Sequence, residues 1–107
     1  MSDPQNDLPL KKIFVVSSAH IKMKDCALLD VPQEHTYNFS IIGFSHGWFI
    51  EVPADVPFLK LTQENMKLIG FSPEFIQLIG LAHTADCLYL VIDQRAGIIP
   101  GLSVFPR

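Results

Sequence analysis

Two short runs, Ile13 to Val16 (IFVV) and Cys87 to Asp93 (CLYLVID), leave almost no polar position along their length. Branched and aromatic residues of this kind favour strands, and a strand without a polar face needs cover on both sides. The chain has 107 residues, enough for one core that buries roughly two thirds of the unfolded surface. A sheet with an apolar second face has three ways to cover it: a second chain, the C-terminal tail, or another layer of helices. Self-association, or a protein partner on an apolar sheet face, is the expectation adopted here.

The segments between the two runs supply the other elements. Ser17 and Ser18 close the first strand and can cap a short helix from about Ile21 to Leu29, which Val31-Pro32 stops. Tyr37, Phe39 and Ile41 alternate with Asn38 and Ser40 as in a half-exposed strand, and Ser45-His46-Gly47 turns the chain back through GWFIEV. Pro53 and Pro57 bracket a loop, and a helical region runs from about Gln63 to Thr84 with a break near Gly70. Thr62 and Ser72 suit helix N-caps, Pro73 a first helical position and Gly70 a position of positive φ. Gly80, inside the second helix, costs about 1 kcal/mol against Ala, which close approach to a strand would explain.

This order predicts an α+β fold, a βαββαβ two-layer sandwich of ferredoxin-like order. A short extra C-terminal strand within GIIPGLSVF is allowed, and a three-layer α/β arrangement is the alternative. Residues 1–9, with two prolines and no periodicity, read as a flexible tail before a single α/β domain at 10–107.

In that arrangement the end of the first strand and the hairpin turn share an edge, so Ser17, Ser18 and His20 neighbour Ser45 and His46, while Asp93 falls at the opposite edge. Hydroxyls beside imidazoles are the parts of a nucleophile and its base. Ser17, Ser18, His20 and His46 are therefore the candidate catalytic residues of a small hydrolase or transferase. Against this, no G-x-S-x-G elbow surrounds the serines and no carboxylate is placed to orient a histidine. The plainer reading is a helix cap with loop histidines. His20, His35, His46, His83, Cys26 and Cys87 show no HxxxH or CxxC spacing, so neither a metal nor a cofactor is predicted. Trp48 and Phe49 are neighbours in a strand and must point to opposite faces; they are the candidate partner-binding residues.

Other function classes are disfavoured. LIGFSPEFIQLIGLAH, residues 68–83, imitates a helix-turn-helix, but formal charge is −3, the eight Lys and Arg are dispersed, and none lies between Lys67 and Arg95. Phosphate binding rests on clustered cations, and only Gln77 on the outer face of the second helix could read a base edge. No run approaches the roughly 18 apolar residues of a membrane span, and the N-terminus carries no apolar signal segment. Two isolated cysteines suit thiols in a reducing cytoplasm.

VVSSAHI, a helix ending in LLD, GWFIEV, GFSPEFIQLIGLAH and YLVIDQRAGIIPGLSVF together resemble a small bacterial family of unknown function, often encoded on plasmids, phages or genomic islands. Its members typically show a Ser-Thr-x-His start, a Tyr-Gly-Trp-Phe hairpin and an Asp-x-Asp-Gly turn before a Leu-Pro stretch near a terminal Trp. Here Ser18 stands for the Thr, His46 for the Tyr, Arg95-Ala96-Gly97 for the acidic turn, and Phe105 comes near the place of the Trp. The resemblance implies no activity, cofactor or substrate. It favours an accessory protein of mobile DNA over a housekeeping enzyme.

Overall fold

The computed structural model describes residues 10–31 and 37–106. Its elements run β1 (Lys12–Val16), a single 3-10 turn (Ser18–His20), α1 (Met23–Leu29), β2 (Ile41–Phe44), β3 (Gly47–Glu51), α2 (Val56–Ile69), α3 (Pro73–Thr84) and β4 (Cys87–Asp93). The expected flexible tail lies outside the described residues.

The strands form one sheet in the order β1-β4-β3-β2. β4 runs parallel to β1, with Phe14 opposite Leu90 and Val16 opposite Ile92, and antiparallel to β3, with Ile50 opposite Leu90. The central place goes to the most apolar strand: Leu90, Val91 and Ile92 are all buried. Because β4 is parallel to β1, Asp93 lies at the same sheet edge as Ser17 and the β2–β3 turn, where Gly47 pairs with it. Its expected position at the opposite edge is thereby corrected; strand order, which the sequence does not encode locally, decides it.

All three helices share one face of the sheet. Val16, Ile50, Leu90 and Ile92 form a core with Leu29 of α1, Leu59 and Met66 of α2, and Phe75, Leu78, Ile79 and Ala82 of α3. The architecture is thus the two-layer α+β sandwich, not its three-layer alternative. The described residues after β4 add no strand. Ile99 and Leu102 pack against the core cluster instead, and the Phe105 N–H donates to the Ala19 carbonyl at 2.9 Å.

α2 begins earlier than its apolar pattern suggests. Asp55 is its N-cap, accepting from the Phe58 N–H at 2.7 Å, and Pro57 sits in the first turn, where its missing N–H leaves no bond unmade. Thr62 is therefore not a cap but a buried residue within the helix, its hydroxyl without a partner among the described residues. Ser72 and Gly70 take their expected roles: the Ser72 hydroxyl accepts from the Phe75 N–H at 3.2 Å, and Gly70 ends α2 at φ 116°. Gly80 faces α2 and not a strand; a Cβ there would stand 3.3 Å from the Gln63 amide nitrogen.

Candidate functional site

Three regions hold the residues singled out in the sequence: an open sheet face, a strapped histidine and a cleft. On β1, Ile13 and Val15 point away from the helices, and in register beside them stand Tyr89 and Val91, then Phe49 and Glu51, then Ile42 and Phe44. Among the described residues no helix lies over this face. β1 is consequently not buried on both sides: Ile13, Val15 and Ile42 are 49%, 40% and 54% exposed. Phe44, Phe49 and Tyr89 form an aromatic row, with ring centroids 5.2 and 5.8 Å apart and edge-to-face geometry that suits their quadrupoles. That row helps to bury Val91 beneath it.

The alternation of β3 separates the two aromatic candidates. Phe49 joins the open face. Trp48, opposite Ile92 on the helical side, is half-buried and donates its indole N–H to Asp30 Oδ1 at 3.0 Å.

At the carboxyl edge of β1 and β4 the four catalytic candidates part company. Ser17 is buried and its hydroxyl accepts from the Ala19 N–H at 3.1 Å, so it caps the 3-10 turn. His20 is buried under the C-terminal tail: the Ile99 N–H donates to its Nε2 at 2.9 Å, which leaves the proton on Nδ1 to be donated to the Ser103 carbonyl at 2.7 Å. Both ring nitrogens are occupied, and the imidazole acts as a strap for the tail. Ser18 and His46 do meet on the lining of one cleft, of about 540 Å³. His46 Nδ1 lies 3.2 Å from the Gln94 side-chain nitrogen.

That cleft opens between α1 and the β2–β3 hairpin, with Met23, Cys26 and Asp30 on one wall and Gly43 and Trp48 on the other. α1 is held in place by Asp25. This fully buried carboxylate accepts from the Lys22 N–H (3.0 Å), the Ser72 N–H (2.8 Å) and the Ser72 hydroxyl (2.6 Å), joining the first turn of α1 to that of α3. Negative charge at two helix N-termini is itself favourable. Asp93, beside the cleft, is held below the usual carboxylate range by hydrogen bonds from the Arg95 guanidinium and backbone.

Sequence reasoning missed Asp25, Asp30 and the tail strap. Asp25 had a local sign, an acid at the third position of a helix; its contact with Ser72 spans 47 residues and had none. Among the described residues, no three His, Cys, Asp or Glu side chains gather as metal ligands. Cys26 and Cys87 are both half-buried and form no disulfide among the described residues. His35 lies outside the described residues. No helix among them is long and apolar enough to cross a membrane.

Residues 13–107 match the C-terminal domain of a family of unknown function, DUF5983, and the chain belongs to that family. No curated protein and no solved structure matches it.

Proposed function

We propose that this member of the family is a non-catalytic protein-binding domain that pairs with a second copy of itself through the open sheet face. The observation that carries the reading is the row of Ile13, Val15, Tyr89, Phe49, Ile42 and Phe44, which no helix among the described residues covers and in which Glu51 is the one charged residue within the paired strands before the Asp93 edge. Contiguous exposed apolar surface of this kind marks interaction sites. A two-fold axis along the strands lays one sheet on the other and sets the same patch against itself. It also brings the Lys11-Lys12 start of β1 to the end of the partner's sheet that carries a glutamate, a complementary pairing of charge. Phe49 belongs to this surface; Trp48, on the other side of the sheet, does not.

A cytoplasmic location, the absence of a role with nucleic acid, and an accessory role on bacterial mobile DNA belong to the same reading. The last rests on the motif resemblance alone. Sedimentation velocity over a concentration series tests the core of it. Wild type is expected to form a reversible dimer, and Val15→Glu and Ile42→Glu, at exposed positions of the face, to remain monomeric with near wild-type melting. A wild type that stays monomeric at every concentration, or variants that dimerise as well as it does, would refute the proposal.

A further inference from the structure

We propose that the cleft between α1 and the β2–β3 hairpin binds a small organic cation with an apolar body, such as an alkylammonium. Its volume of about 540 Å³ lies within the range of small-molecule sites. It also sits outside the carboxyl ends of the parallel strands β1 and β4, where open α/β sheets take their ligands.

The lining selects the sign of the charge. Among the described residues, Asp30 is the one Asp, Glu, Lys or Arg in it. The nearby cations are engaged elsewhere: Lys22 pairs with Glu74 at 3.5 Å and lies 5.5 Å above the Phe105 ring, and Arg95 closes on Asp93 at 3.0 Å. A phosphate or carboxylate entering here would meet a carboxylate and, among the described residues, no Lys or Arg in the lining. A cation would meet the Asp30 charge and the face of an indole, whose quadrupole attracts positive charge.

The indole is prepared for this. The hydrogen bond to Asp30 fixes its orientation, and Gly43, its cross-strand neighbour, presents no side chain over it; a Cβ there would already stand 3.8 Å from the ring. Met23 and Cys26 supply apolar wall, and Ser18, His46 and Gln94 offer polar groups to a head-group substituent.

Trp48 is the only tryptophan of the chain, so its emission reports occupancy directly. The full chain would be titrated with choline and, separately, with its neutral isostere 3,3-dimethylbutan-1-ol, with calorimetry alongside. The expected result is a saturable change with choline and binding about two- to fivefold weaker for the isostere, the factor an exposed cation–π contact supplies. Asp30→Asn keeps an acceptor for the indole N–H while removing the charge, and should lose a similar factor. Gly43→Val, which fills the space over the ring on a strand that tolerates branching, should abolish binding independently. Equal response to choline and the isostere, no response to choline, or undiminished binding by either variant would overturn the assignment.

Discussion

Asp25→Asn isolates what one buried carboxylate does for this fold. The substitution preserves volume and converts one acceptor oxygen into a donor. In the native chain Oδ1 takes the Ser72 N–H, and Oδ2 takes both the Ser72 hydroxyl and the Lys22 N–H. With the amide oxygen kept toward the Ser72 N–H, the new NH2 faces the Lys22 N–H, donor against donor. The Ser72 hydroxyl can rotate to accept and is largely spared. One charge-assisted hydrogen bond is lost, at about 1.5–3 kcal/mol. The favourable charge at two helix N-termini disappears as well, at about 0.3–1 kcal/mol each. The expected cost is about 2–5 kcal/mol, read as a lower urea midpoint with an unchanged denaturant slope. Asp25→Ala, which strands all three donors, should cost more. Combining Asp25→Asn with Ser72→Ala should give a coupling of about 1–2 kcal/mol, since the two residues share bonds. A loss below about 0.5 kcal/mol for Asp25→Asn, the range of an unremarkable surface change, would refute the assignment of Asp25 as the tie between α1 and α3.

Three further outcomes follow from local geometry. A Cβ on Gly47 would run into the Ile92 carbonyl of the neighbouring strand; Gly47→Ala should therefore cost about 1–3 kcal/mol by overpacking, seen as a lower melting temperature with faster amide exchange at Ile92 and Asp93. Thr62→Val replaces a buried hydroxyl without a partner by a methyl of the same shape, and should be neutral or stabilise by about 1 kcal/mol in urea denaturation. The Asp93 carboxyl titrates below its ordinary 3.8 because Arg95 donates to it, so the folded state binds fewer protons there than the unfolded. The resulting stabilisation is present above the unfolded value and is lost as pH falls through the lowered folded one; carbon-detected NMR titration should show the value returning toward 3.8 in Arg95→Ala.

How much of this was legible in sequence depended on whether the signal was local. Ser72, Pro73 and Gly70 mark their helix ends through backbone chemistry within a few residues, and the two-residue turn between Phe44 and Gly47 follows from the alternation around it. The start of α2 was misplaced because Pro57 reads as a loop marker when it is equally a first-turn residue. Asp93 went to the wrong edge because nothing in a strand's own composition states which neighbour it will take. The apolar excess of IFVV and CLYLVID announced an apolar second face, but the expected burial of β1 on both sides is not met, since Ile13 and Val15 stay exposed. The gathering of Ser18 and His46 was visible from topology, whereas the capture of His20 by Ile99 and Ser103, some 80 residues away, depended on a tail with no regular structure to predict.

The pairing of two copies through the open face is the central claim, and methyl NMR on a dilution series tests it most directly. Ile13, Val15 and Ile42, exposed on that face, should shift with concentration, while Ile21, Ile50 and Ile79, enclosed in the core, should not move. Resonances that stay fixed throughout, or that shift at Leu61 and Leu68 on the outer side of α2 and not on the sheet, would contradict the account.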